Sequence, residues 1–195
     1  MARPITIPTE RIVDTARQLF LEHGFKLSTA KIAKAVGISE GLIFKRFGTK
    51  DALFAAAMGL PSTDFARAWP ARAGHGTVRE ELIAIGHRLI AHFRVALPRM
   101  IMLRRASAVD PLAVMSRVDS PPPVVILDGV TNYLRGEVAL GRFRTQEPRV
   151  VARMLVGTLV NYVFFEVLEF ESHDDLETQR TIEGVVSVLT AGGAT

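Results

Sequence analysis

Apolar residues recur along most of this chain at intervals of three and four, and they do not alternate singly over a strand-length run. That period predicts an all-α protein. Ile12, Ala16, Leu19 and Phe20 mark the buried stripe of a first helix, with Thr9 placed to cap it and Gly24 to end it. Two short apolar-periodic segments follow, Ala30 to Ala35 and Glu40 to Phe47, with only Val36, Gly37 and Ile38 between them. A gap that short admits only a tight turn, so the pair reads as a helix-turn-helix. Ser28 and Ser39 stand where a hydroxyl can accept from an unpaired backbone N–H at a helix start, and Gly37 can take positive φ at the turn. A fourth helix, Asp51 to Met58, puts Leu53, Phe54 and Ala57 on one face.

Gly59 to Gly76, with Pro61, Pro70, Gly74 and Gly76, reads as a boundary region, with room for one more helix around Asp64 to Trp69. The predicted division is a head of residues 1–58 and a helical body of residues 59–195. Thr77 and Glu80 form a capping box that opens a long helix whose buried stripe is Leu82, Ile85, Leu89 and Phe93. Pro98 is expected to break it, and Asp110 with Pro111 to break the chain again before a helix from Leu112 to Val118. Pro121, Pro122 and Pro123 read as a stiff hinge ahead of a helix from Val124 to Leu140, closed by Gly141. Thr145 to Glu147 is expected to cap the next. Val151 to Phe170 is apolar on more than one face, and a last helix, capped by Ser172, repeats Ile182, Val185, Val186 and Leu189. Two copies of this last pair would form a four-helix bundle about a two-fold axis.

Charge changes the picture of the head. The chain carries a net +4, and residues 1–60 hold nine Lys and Arg against five acids, so the whole excess lies there. All five lysines precede residue 51. Lys31, Lys34, Lys45, Arg46 and Lys50 around a two-helix unit suit a helix laid in a DNA major groove between two phosphate backbones. At 195 residues and 48% hydrophobic content, a small head on a larger body is feasible. The absence of cysteine removes disulfides and thiolate sites, and no apolar run at the N-terminus has the length of a signal segment. The expectation is a soluble, cytoplasmic protein with no membrane partner.

From Ile32 to Leu53 the chain reads IAKAVGISEGLIFKRFGTKDAL. This resembles the signature of the TetR family of bacterial transcriptional repressors at Ile32, Ala33, Gly37, Ser39, Gly41, Phe44, Phe47, Lys50 and Leu53. The resemblance covers the first quarter of the chain. It implies an N-terminal three-helix helix-turn-helix domain followed by a larger helical ligand-binding and dimerisation domain, whose last two helices form a homodimer. Double-stranded operator DNA is the implied partner, and repression itself is implied only by the resemblance. The expected DNA contacts are Ser28, Thr29, Ser39, Glu40, Gly41, Leu42, Phe44, Lys45, Arg46, Thr49 and Lys50. Ser39 to Arg46 would lie in the major groove, with Lys50 and Ser28 on phosphates at either side. Two positions depart from the family pattern. A tyrosine, whose hydroxyl commonly reaches a phosphate, usually stands at Phe44, and a histidine often stands at Arg46; Arg46 is expected to replace the lost contact with a charged one.

For the body the expectation is a pocket for a small apolar or amphipathic effector, lined by Phe93, Met100, Leu103, Met115, Tyr133, Asn161 and Phe165. His92, Asn132, Asn161 and Glu166 are polar residues in apolar surroundings and require partners. The Pro-bounded stretch from Pro98 to Val118 is the expected moving element. Catalysis and metal binding have no support: the five histidines include no i, i+4 pair and no His-Glu-x-x-His run, and no cofactor is expected. The leading reading is a ligand-released homodimeric repressor on a palindromic operator. The rivals are a ligand-independent architectural dimer and an enzyme fused to a DNA-binding head.

Overall fold

A computed structural model describes residues 7–105 and 121–191, and among them the only regular elements are helices. They divide into two compact units: residues 7–60 with 98–105, and residues 61–97 with 121–191. The boundary expected after residue 58 thus falls at Leu60, and part of the expected body belongs to the first unit.

In the first unit, α1 (Thr9–His23), α2 (Thr29–Val36), α3 (Glu40–Phe47) and α4 (Lys50–Ala57) close over a core of Ile12, Phe20, Ile32, Ile43, Leu53 and Phe54. Phe54 is the centre of an aromatic cluster, meeting the rings of Phe20 and Phe25 edge-on, each at 4.9 Å between centroids. Thr9 does not cap α1 with its side chain; the N-cap is Pro8, and Thr9 is already helical. Thr49 caps α4, its hydroxyl accepting from Ala52 N–H at 3.0 Å. Two arginines finish the unit by donating to backbone oxygens at the end of α4: Arg17 Nε to Ala57 at 2.8 Å and Arg99 Nη1 to Gly59 at 2.8 Å.

Arg99 lies on α6 (Val78–Arg105), a single helix of 28 residues. The break expected at Pro98 is not there. Proline lacks the N–H that would bond Arg94, and its ring crowds that carbonyl, a cost of about 3 kcal/mol in a helix interior. Burial of Phe93 before it and of Leu103 after it offsets that cost, since each buried apolar side chain of this size contributes roughly 1.5–3 kcal/mol. The expected helix from Leu112 to Val118 and its break at Asp110 and Pro111 lie outside the described residues.

In the second unit, α5 (Asp64–Arg67) and a 3-10 turn (Trp69–Arg72) occupy what sequence suggested was a boundary, and Trp69 is buried in this unit's core. The capping box forms as expected: Glu80 N–H donates to Thr77 Oγ1 at 3.1 Å and Thr77 N–H to Glu80 Oε2 at 2.9 Å. These bonds hold the Glu80 carboxyl below its ordinary range, since they favour its charged form. The remaining helices are α7 (Pro122–Ala139), α8 (Pro148–Val167) and α9 (Asp175–Ala191). The three prolines are not a hinge: Pro122 and Pro123 form the first turn of α7, where a missing N–H costs nothing. Asp174, not Ser172, caps α9, accepting from Glu177 N–H at 2.7 Å. Thr145 accepts from Glu147 N–H at 3.1 Å ahead of α8, while the N-cap residue Glu147 makes no side-chain cap.

Leu82, Ile85, Leu89, Val130, Leu155, Leu159, Val163 and Ile182 interlock between these helices. The close crossing of α7 with α5 requires Gly129, because a Cβ there would run into the Ala66 carbonyl. Two polar networks pin the packing. Glu137 on α7, fully buried, accepts from Gly74 N–H at 3.1 Å, and its other oxygen lies 3.1 Å from Arg142 Nε. On the other side, Arg94 grips Glu166 through two bonds of 2.9 and 2.7 Å and also donates to Thr178 Oγ1 at 2.9 Å, tying α6, α8 and α9 together.

Candidate nucleic-acid interface

The outward surface of α3 is fixed by what lies behind and beside it. Gly37 sits in the left-handed region at φ 81°, and its N–H and that of Ile38 donate to the Ala33 carbonyl at 2.9 and 3.0 Å. The chain therefore leaves α2 sharply and re-enters α3 after Ser39, whose hydroxyl accepts from Leu42 N–H at 3.3 Å. Ser28 holds the corresponding position before α2 without a side-chain bond. Ile43, fully buried, anchors α3 from below. The Thr29 hydroxyl hydrogen-bonds the Glu40 carboxylate and locks the two helices across the turn.

With that anchoring, Ser39, Glu40, Gly41, Phe44 and Lys45 are exposed together on α3, and Leu42 is half-buried. Ser28, Lys31 and Lys34 are exposed on and before α2, and Thr49 is exposed beyond α3. The surface is cationic, with Ser39 and Glu40 at its N-terminal end. Three expected contacts have partners within the head. Thr29 is buried and its hydroxyl is engaged by Glu40, so it sets the helix-turn-helix angle and presents no donor to DNA. Arg46 turns back, donating from Nη1 to the Ile7 carbonyl at 2.5 Å, and so holds the segment before α1. Lys50 places its ammonium 4.5 Å from the centre of the Phe25 ring, a cation–π contact that fixes the start of α4.

The residues expected to line a ligand pocket are divided between the two units. Phe93 and Tyr133 lie in the core of the second unit, while Met100 and Leu103 fall in the first, where Leu103 is buried in the core of the head. Asn161 is exposed on α8, Phe165 is half-buried with its ring edge-on to Phe170 at 5.9 Å, and Met115 lies outside the described residues. A cleft of about 510 Å3 in the second unit is lined by Thr77, Arg79, Arg142, Phe143 and Thr190 among others, and none of the seven lines it. The Tyr133 hydroxyl is fully buried without a hydrogen-bond partner among the described residues. Burial, and then Glu137 one turn along α7, push its ionisation well above the ordinary tyrosine range, so it is a neutral phenol.

The polar residues singled out by sequence divide in the same way. Glu166 has its partner in Arg94, which holds its carboxyl below the ordinary range, and His173 Nδ1 lies 3.4 Å from the same carboxylate. His92 is half-buried between the rings of Phe65 and Phe93, and burial lowers its basicity. Asn132 and Asn161 are exposed. No group of three or more His, Cys, Asp or Glu among the described residues is arranged to hold a metal ion. Sequence reasoning missed the Arg94–Glu166–Thr178 network, whose members are 72 and 84 residues apart in pairs and carry no local signal.

Comparison with known proteins agrees with this geometry. Residues 12–57 match the family model for bacterial regulatory proteins of the tetR family, a span that includes α2, the turn and α3. Over 47 residues the chain is 45% identical to the HTH-type transcriptional repressor Rv1474c of Mycobacterium tuberculosis, a match covering 24% of this chain and only about a quarter (25%) of that repressor's length. A solved structure from Mesorhizobium loti assigned to the TetR family shares the fold over 95% of this chain and 96% of its own, at a TM-score of 0.71 and 18% identity. The regulator FadR from Bacillus subtilis, solved in complex with stearoyl-CoA, does so over 95% of this chain and 99% of its own, at 0.61 and 17%. Residues 12–57 thus carry a helix-turn-helix of the tetR type, on a chain that shares the fold of these regulators.

Proposed function

We propose that this protein is a homodimeric repressor that binds a palindromic operator through α3 of each copy and releases it when a small apolar or amphipathic molecule binds the body. The observation that carries the reading is the exposed surface of α3, where Ser39, Gly41, Phe44 and Lys45 stand outward on a helix whose other face is locked by Ile43 and Thr29–Glu40. A helix so presented fits the major groove, with Lys45 reaching a base edge or phosphate and Ser28, Lys31, Lys34, Thr49 and Lys50 serving the backbone.

Assembly through the last two helices is supported by what they leave uncovered. Val150, Met154, Phe164 and Leu168 on and just after α8, and Leu176 and Val188 on α9, are all more than a third exposed. The 20-residue helix Pro148–Val167 is apolar enough, at mean hydropathy 1.6 over its most apolar 18 residues, to satisfy the length and composition of a membrane span, and a dimer face gives those residues a different cover. Release by a small molecule is supported by the stearoyl-CoA held by a protein of the same fold. Binding and release must then oppose each other through one reciprocal coupling free energy.

The test is selection of bound sequences from random DNA duplexes with the purified protein, repeated with Lys45→Ala. An enriched two-fold symmetric motif that weakens in the variant supports the proposal. Binding with no enriched motif would replace it with an architectural role, and no binding would end it.

A further inference from the structure

The head contains five phenylalanines, and four of them build its interior: Phe20 and Phe54 are fully buried, Phe25 stacks into their cluster and Phe47 packs against the same core. Phe44 does not. It stands on the outer face of α3 with 42% of its surface exposed. A lone apolar side chain on a surface ordinarily needs no explanation, but this one occupies the middle of the helix that the turn presents outward, between Gly41 one turn earlier and the exposed Lys45. Gly41 adds a second, separate observation. A Cβ built there would meet no atom within 4 Å, so neither packing inside the molecule nor a positive φ accounts for the missing side chain. Residues three apart on a helix are neighbours, and the result is a phenyl ring standing beside a bare stretch of backbone.

In the major groove, the one apolar group on a base edge is the 5-methyl of thymine. Phenylalanine has no hydroxyl with which to reach a phosphate, and it can make no hydrogen bond to any base. Resting on the proposal that α3 reads DNA, we infer that Phe44 and the open backbone at Gly41 form a thymine-methyl reader that fixes an A·T pair in each half-site. Phe44 supplies the apolar contact and Gly41 the close approach; Lys45 holds the helix on its charged neighbours.

The probe is the palindromic duplex that the wild-type protein selects from random DNA, resynthesised with uracil in place of thymine at one position and its symmetry mate at a time. Each change deletes only a methyl group. At one symmetric pair the wild type loses roughly fifteen-fold in affinity, about four-fold per methyl withdrawn from apolar contact. Phe44→Ala binds the unmodified duplex more weakly and is indifferent to uracil at that pair, while its Tm stays at the wild-type value because the ring is not part of the core. Gly41→Ala raises Tm, alanine being the better helix former, and yet weakens DNA binding. The inference is overturned if the wild type tolerates uracil everywhere, if Phe44→Ala keeps the wild-type response at every position, or if Gly41→Ala binds as tightly as the wild type. Failure of the wild type to select any duplex would overturn the DNA-reading proposal, and this inference with it; a selected duplex without methyl sensitivity overturns this inference alone.

Discussion

The outer faces of α3 and of the α8–α9 pair are both left exposed, and their chemistry is opposite. On α3 the exposed side chains are Ser39, Glu40 and Lys45 around a single phenylalanine; on α8 and α9 they include Met154 at 50% exposure and Val188 at 71%. Water solvates the first surface at no cost, so charge there is informative only through its position on an outward helix. The second is costly to leave in water, since each methylene withdrawn from it is worth about 0.8 kcal/mol. On the proposed reading, the first face is occupied intermittently and the second stays covered. A surface that must release its partner is polar and salt-sensitive, and one that holds its partner is apolar.

The comparison breaks most readily at the apolar face. Val188→Glu places a charge where the account has a permanent contact, and light scattering is expected to show dimer association weakened at least 100-fold with helical content unchanged. A variant as dimeric as the wild type would move the interface elsewhere. Within the second unit, Glu166→Gln removes the charge that Arg94 grips, and a loss of about 2 kcal/mol is expected at neutral pH, between the values for exposed and buried pairs. The Arg94 pairing lowers the Glu166 carboxyl below its reference of 4.5. Its stabilisation is therefore fully present above the unfolded-state value and lost as pH falls through the folded one. Melting curves of wild type and variant should converge as pH falls through the lowered folded-state value; a gap that persists at the acid end would mean that the variant acts through packing and not charge.

On the polar face, Lys45→Ala is expected to weaken operator binding about ten-fold and to reduce the dependence on salt by roughly one counterion. An unchanged salt slope would place Lys45 on a base edge and off the phosphate. The smallest effect is expected from Ser39→Ala, which removes the cap on α3 and should cost about 1 kcal/mol of stability by chemical denaturation.

The head was legible in the sequence because its determinants are local. Gly37, Ser39 and the apolar spacing of Ile32, Val36 and Ile43 act within a few residues of one another, and Glu40–Phe47 appears with the bounds that periodicity suggests. Thr29 was misread for a physical reason: its hydroxyl looks free along the chain, but Glu40 is folded across the turn to take it. The bond of Arg46 to Ile7 was not legible either, since that partner is 39 residues away. In the body, local punctuation misled. Pro98 signals a break, and long-range burial on both sides overrides it; Pro122 and Pro123 signal a hinge and instead begin α7. A pocket was the least legible feature, because aromatic and methionine residues at helical spacing are equally the residues of a core, and Phe93, Tyr133 and Leu103 are buried as such.

The claim on which everything else depends is that the two faces work together, so that α3 reads DNA only as one of a pair. The measurement is the mass of the protein–DNA complex formed on the selected duplex, by light scattering or sedimentation, for the wild type and Val188→Glu. Two chains per duplex are expected for the wild type, with the variant losing affinity even though its head is untouched. One chain per duplex, or a variant that binds the palindrome as tightly as the wild type, would contradict the account.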